Sequence, residues 1–475
     1  MKIEIAKPLL EKLDKLVKID RSLSFDSQNP LIYRRRALLL QELGCDALAK
    51  VDNRISAFLE GKTDQEYYNH QYQSYLDEKR FAEQYQAEKD SHYYEIFSYI
   101  LNNEKYLTAE EIDPILFVLR SGNLQNLGLF NLALRDCNFA LNSLQDFPEE
   151  YALACFNKAI LLNLVGEFKE GWKFYEYRWK TGYKSFKKPI EFPRPRWQGE
   201  DISQGKGRLL IHSEQGIGDN IQFVRYAIYL KQLGFDVLVW NNTYVDDFLT
   251  FNLAKYHIPT AKLGDKVEFS HWIPMMSLPY ILGTELTNIP LTEKYLVAAP
   301  EYLQKWQKKL PLKNNELKIG VVWQGGIKTE TDKIRSIPVA LFAQLFNVQA
   351  DFYVLQKEIS EADQAVLAHY ENVVDCHWAI ESFHDTAAMI EHLDLVISVD
   401  TSVAHLAAAM GKPTWILINY KPDFRWLISR EDSVWYESVR LFRQTLDYDW
   451  QPVIESVIAE LNAMMRAFGG NNATF

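Results

Sequence analysis

Hydrophobic and polar positions change rhythm once along this chain, near residue 185. Before that point apolar residues recur at helical spacing with few β-branched runs, which predicts helix after helix. A short block also repeats. Leu40-Gln-Glu-Leu-Gly44 returns as Leu124-Gln-Asn-Leu-Gly128 and, more weakly, as Leu162-Asn-Leu-Val-Gly-Glu-Phe168. Small residues flank each glycine in one register: Ala37 and Ala49, Ser121 and Ala133, Ala159 and Gly171. Phe130 and Phe168 follow the last two glycines. Small residues let paired helices approach, the glycine makes the turn, and the aromatic fills the gap between units.

After residue 185 the pattern becomes short apolar runs alternating with amphipathic ones. Runs at 208–213, 236–240, 317–323, 351–355, 393–399 and 414–418 predict strands. The stretches 220–233, 339–345, 385–393 and 405–410 predict helices between them. Such alternation argues for right-handed βαβ units and two parallel sheets, with binding sites at the strands' carboxyl ends. Pro189-Ile-Glu-Phe-Pro-Arg-Pro-Arg-Trp197, followed by Gly199, Gly205 and Gly207, reads as the linker between the two textures, because proline ends helices. The repeats themselves resemble the tetratricopeptide repeat. Between them, residues 67–106 are dense in Tyr and charge, fitting amphipathic helices with half-buried rings or an aromatic groove for a peptide or sugar.

Composition narrows the function. A net charge of −11 argues against general nucleic-acid or anionic-membrane binding. The 4 cysteines, Cys45, Cys137, Cys155 and Cys376, are scattered, so neither a disulfide framework nor a structural zinc site is expected and a cytoplasmic home is the simplest. No leader or membrane-spanning segment is expected either. No spacing points to a bound metal or to a nucleophile elbow.

Two turns at strand ends carry the candidate chemistry. In His212-Ser-Glu-Gln-Gly-Ile-Gly-Asp219, Gly216 and Gly218 permit a tight turn and close ligand approach, and Asp219 falls near a helix start. Ordinary capping by Asp219 explains the same residues. In Asp400-Thr401-Ser402, with His405 one turn on, two hydroxyls, an imidazole and free N–H groups converge as in a diphosphate site; capping again explains half of it. Trp323-Gln-Gly-Gly326, followed by Lys328, Lys333 and Arg335, reads as a loop that could cover a ligand or as a plain solvated loop. Gln356 and Lys357 close another strand, where a lysine could meet a phosphate.

From Phe192 to the C-terminus these motifs together resemble bacterial tetratricopeptide-repeat glycosyltransferases related to heptosyltransferases, more distantly similar to O-linked N-acetylglucosamine transferases. The matching stretches are 214–226, 277–279, 335–338, 355–357, 393–406 and Pro422-Asp-Phe-Arg-Trp-Leu427, with Trp435-Tyr436 and Leu441-Phe-Arg-Gln444. The resemblance implies a GT-B pair of Rossmann-like domains and inverting, metal-independent sugar transfer without a cofactor. It makes Asp219 the general base. Asp400, Thr401, Ser402 and His405 become donor-binding, with Gly216, Gly218, Gln356 and Lys357 near the donor. Lys328, Lys333 and Arg335 are the candidate cations for the leaving group; here the chain departs from the family, with Gly326-Ile327 and Glu330 in place of Asn-Pro and Lys.

The expected organisation is therefore α followed by α/β: an all-helical repeat domain at 1–185, an acceptor-side Rossmann-like domain at 186–300 and a nucleotide-sugar domain at 301–475. The expected activity is transfer from a nucleotide sugar to a protein held by the repeats. The alternatives are a lipid-linked or polysaccharide acceptor, or a non-catalytic scaffold.

Overall fold

The computed structural model describes residues 29–42, 130–182, 192–203, 205–241, 245–262, 264–311, 317–326, 335–444 and 449–471, with isolated positions before residue 126. The chain divides into two compact units, Met1–Ser185 with Leu427–Ser429, and Phe186–Trp426 with Arg430–Phe475.

In the first unit, helix α1 spans Pro30–Glu42, strands β1 and β2 span Leu107–Thr108 and Glu111–Ile112, and helices α2, α3 and α4 span Phe130–Ser143, Pro148–Leu164 and Phe168–Tyr175. β1 and β2 pair antiparallel, Leu107 with Ile112 and Thr108 with Glu111, so the region is not all-helical as expected. The helix pair α3–α4 explains its own spacing. Gly166 closes α3 at φ 90°, where a side chain would be strained. Its N–H reaches Asn163 O at 3.1 Å and the next N–H reaches Leu162 O at 2.8 Å, a Schellman closure. At Gly171 a Cβ would come within 2.1 Å of Asn163 Oδ1, so only glycine lets α4 lie this close. Phe168, 1% exposed, packs edge-on against Trp172. Ala37, Ala49, Ser121, Ala133 and Ala159 are all buried. Gly44, Gly128 and the Tyr-rich 67–106 segment lie outside the described residues.

The second unit opens with a sheet of β3 (Arg208–His212), β4 (Asp236–Trp240), β5 (Thr260–Ala261) and β6 (His271–Pro274). Helices α5 (Ile217–Gln232) and α6 (Asp246–Ala254) connect its strands. The order is β5-β4-β3-β6, all parallel. Residues 192–197 are not a free linker. Trp197 N–H donates to Trp272 O at 2.9 Å, and the Trp272 indole donates to Arg194 O at 2.8 Å. The Phe192 ring packs on Trp240 and Trp272, with centroids 4.8 and 5.4 Å away. The prolines hold this segment extended, and its aromatics bury it on the sheet.

Helix α7 (Pro300–Lys309) precedes the second sheet, made of β7 (Lys318–Val322), β8 (Asp351–Val354), β9 (Val373–Val374), β10 (Leu395–Val399), β11 (Thr414–Ile418) and β12 (Val439–Arg443). Helices α8 (Glu361–Leu367), α9 (Phe383–Glu391), α10 (Ser402–Ala409) and α11 (Gln451–Asn471) complete it. The order β9-β8-β7-β10-β11-β12 is parallel throughout and doubly wound. Both faces are covered, so β7, β10 and β11 read as continuous apolar runs, with Ile319, Val321, Leu395, Ile397 and Leu417 at 1% exposure or less. Chain order reverses between β7 and β10, which opens a crevice at their carboxyl ends, just before Gln324 and Asp400.

Candidate active site

That crevice is real. A cavity of about 1230 Å³ lies there, walled by the turn before α5 on one side and by the ends of β7, β8 and β10 on the other. Gly216, Gly218, Asp219, Arg335, Gln356, Lys357, Asp400, Thr401, Ser402 and His405 all line it, and so do Asp423 and Arg425. Lys328 and Lys333 lie outside the described residues.

On the α5 side, Gly216 is the N-cap and Asp219 the third residue of the helix. The Gly216 N–H donates to Asp219 Oδ2 at 2.7 Å. Asp219 is thus bonded back to the cap, rather than being the cap itself. Its other oxygen, Oδ1, takes Nη2 of Arg425 in an ion pair that crosses the cavity. Withdrawal from water raises the Asp219 carboxyl above its ordinary range, and the Arg425 charge only partly opposes that. Arg425 is 7% exposed and held from three further directions. Its Nε donates to Gln222 Oε1 at 2.9 Å, its Nη1 to Asp423 Oδ1 at 2.6 Å, and its guanidinium lies 4.4 Å from the Phe424 ring.

Gly218 meets protein, not open space. A Cβ there would come within 2.9 Å of His405 Cδ2. Glycine is what lets α5 and α10 approach, and this explains its place in the turn as well as ligand access would. Two turns further on, Arg225 is fully buried. It donates to Trp435 O at 2.6 Å and to Tyr295 Oη at 3.0 Å, bolting α5 to the second half.

On the α10 side, Thr401 caps the helix, its Oγ1 accepting from Ala404 N–H at 3.3 Å and lying 2.9 Å from Ser398 Oγ. Ser402 begins the first turn. The Asp400 carbonyl accepts from Arg335 Nη1 at 3.0 Å, which places that cation beside the helix start. Burial first, then the charge of Asp423, pushes the Asp400 carboxyl up to about 6, against the pull of Arg335. His405 is 5% exposed. Its Nδ1 lies 3.0 Å from Tyr436 Oη, its Nε2 3.8 Å from Asp400 Oδ1, and its ring stacks on Trp426 at 5.1 Å. Burial, then the charges of Arg425, Arg225 and Arg335, holds its pKa well below 6.5, so the ring is neutral at physiological pH.

Gln356 serves the adjacent loop. Its Oε1 accepts from Gln324 N–H at 3.0 Å and its Nε2 donates to Glu358 O at 2.9 Å, which shapes the floor of the cavity. Lys357 is exposed and donates to Glu381 O at 3.3 Å.

Residues 380–421 match the model of glycosyltransferase family 9 (heptosyltransferase). The matched segment contains β10, α10 and the Asp400–His405 turn, and this glycosyltransferase 9 likeness points to sugar transfer. Protein FlbA of Caulobacter vibrioides is 25% identical over 360 residues, 71% of this chain and 59% of FlbA. The chain thus spans 59% of the length of the curated relative it matches. Two solved structures are similar at low identity. The glycosyl transferase family 9 protein of Veillonella parvula has TM-score 0.39 and 10% identity, covering 55% of this chain and 99% of its own. The ADP-heptose LPS heptosyltransferase II of E. coli has TM-score 0.37 and 12% identity, with the same coverage of 55% and 99%.

The residues without an expected role are Arg425, Asp423, Tyr436 and Trp426. All fall in stretches that matched the family pattern, and a lone arginine inside Pro422-Asp-Phe-Arg-Trp-Leu427 was the available signal. Among the described residues no group of His, Cys, Asp and Glu could hold a metal ion. None of their helices is long and apolar enough to cross a membrane. Burial pushes the Cys137 thiol up to about 12 and Cys155 up to about 11, so neither is a nucleophile at neutral pH.

Proposed function

We propose that this chain is a nucleotide-sugar-dependent glycosyltransferase of the GT-B type. It would transfer with inversion and without a metal to a protein acceptor held by the helical repeats, in the cytoplasm. In this reading residues 1–185 hold the acceptor, 186–300 form the acceptor-side domain and 301–475 bind the donor. The observation that carries it is the single cavity faced by the Asp219 carboxylate from α5 and by the N-terminus of α10 from the other side.

Inverting transfer needs a base on the acceptor and a charge sink for the departing diphosphate, on opposite sides of the reacting carbon. Asp219 is the base. The first turn of α10 takes the diphosphate, with Arg335 beside it and Asp400, Thr401, Ser402 and His405 shaping the site. Lys357 and Gln356 border the donor, and Gly216 and Gly218 bring α5 against it. A raised carboxyl pKa suits a base working near neutrality.

The test is incubation with a panel of nucleotide sugars, reading release of the nucleoside diphosphate, together with mass spectrometry of cell proteins with and without the gene. Turnover of one donor and loss of one set of glycosylated peptides is the expected result. No turnover with any donor would support the non-catalytic scaffold instead.

A further inference from the structure

We propose that Arg425 is the positioning residue that keeps Asp219 oriented and ionised for proton transfer; this rests on the sugar-transfer reading above. The geometry is specific. Asp219 and Arg425 come from opposite walls of the cavity and meet through Oδ1 and Nη2. The guanidinium cannot turn away easily. Asp423 Oδ1 holds Nη1, Gln222 Oε1 holds Nε, and the Phe424 and Phe223 rings lie 4.4 and 5.8 Å from its centre. The Gly216 N–H fixes the other carboxylate oxygen. Both oxygens of Asp219 are therefore aimed by named donors, and each keeps a lone pair for an acceptor proton.

A carboxyl withdrawn from water tends to protonate and stop serving as a base. Arg425 is the opposite charge that resists this. In the transfer step the acceptor O–H or N–H gives its proton to Asp219 while its heteroatom bonds to the anomeric carbon. The carbon–oxygen bond to the diphosphate breaks, and its electron pair leaves with the diphosphate. Arg425 stays protonated throughout and takes no part in making or breaking bonds.

The test compares Arg425→Gln, Arg425→Lys, Asp219→Asn and the Arg425→Gln/Asp219→Asn double variant. In Arg425→Gln the acid limb of the rate profile should move up by about one pH unit or more, the shift expected from losing a nearby opposite charge. The rate at neutral pH should fall ~10-fold or more, while nucleotide affinity stays within ~2-fold, because the lost group acts on chemistry rather than on donor binding. Arg425→Lys should recover part of the limb. The double variant should be no slower than Asp219→Asn alone.

An unmoved acid limb, or fully additive losses, would overturn the proposal. If the wild type turns over no donor at all, the transferase reading falls. The Arg425 claim is then decided by carboxylate infrared spectroscopy on ¹³C-aspartate protein, with Asp219→Asn as the subtraction. An Asp219 titration that is the same in wild type and Arg425→Gln would overturn it.

Discussion

The turn before α5 and the turn before α10 are built alike and end up opposite. Each follows a buried parallel strand, opens a helix and faces the same cavity. At α5 the helix start is met by its own carboxylate, Asp219, which is then tied to a cation from across the cavity. At α10 the cap is an uncharged hydroxyl, and a cation, Arg335, is drawn to the strand end beside it. A helix N-terminus attracts anions in general, and the side chain three residues in decides whether the anion is the protein's own or a ligand's. In the proposed reading one turn presents a base, and the other takes a phosphate.

The sharpest way to break this contrast is at Asp219. Asp219→Asn keeps the shape and leaves Asp423 on the Arg425 guanidinium. Turnover should fall ~10²–10⁴-fold, as for loss of a general base, with nucleotide affinity retained. Near-normal transfer by this variant, measured as nucleotide release, would remove the catalytic half of the comparison.

The α10 side should fail differently. His405→Ala should weaken nucleotide binding by ~1–3 kcal/mol in calorimetry, the range for a lost hydrogen bond to a charged group. Gly218 joins the two turns. Gly218→Ala would push a Cβ to 2.9 Å from an imidazole already pinned by Tyr436 and Trp426. It should lower stability by ~1–3 kcal/mol in urea melts. Gly216→Ala, whose Cβ would meet only Asp219 Oδ2 at 3.1 Å, should cost less than ~1 kcal/mol.

Half of this was legible in the chain itself. The apolar runs of β3, β4, β7, β8, β10 and β11 are buried on both faces and announced themselves. β6, only His271–Pro274 and ending in proline, β9 with its two residues, and β12 did not. The turns at Asp219 and Asp400 were readable because a glycine or hydroxyl cluster after a strand is a local signal. The Asp219–Arg425 pair was not, because its partners are far apart in sequence and meet only when two parallel sheets face each other. The strand-end position of Gln356 marks it as a cavity residue, but the brace its side chain gives the Gln324 loop depends on a partner 32 residues away and is not a local signal. The paired strands at 107–112 escaped notice because two residues per strand leave no periodicity to read.

The smallest expected effect is in pH dependence, where the two groups at α10 oppose one another. Folded His405 stays neutral below 6.5 while the unfolded chain takes a proton, so its contribution to stability is lost as pH falls from 6.5. Folded Asp400 takes its proton near 6, the unfolded chain near 3.8, so its contribution is present at low pH and lost as pH rises through 6. Relative to the wild type, His405→Gln should therefore gain stability on acidification below pH 6.5, and Asp400→Asn should lose it as pH falls through 6, in thermal melts.

The central claim is that α10, and not α5, receives the donor's diphosphate. A crystal structure with a bound nucleoside diphosphate tests it directly. Phosphate density against the first turn of α10, alongside Arg335 and with the Asp219–Arg425 pair intact, is the result this account predicts. Phosphate seated at the Gly216 turn, with Arg425 drawn off Asp219 to meet it, would contradict it.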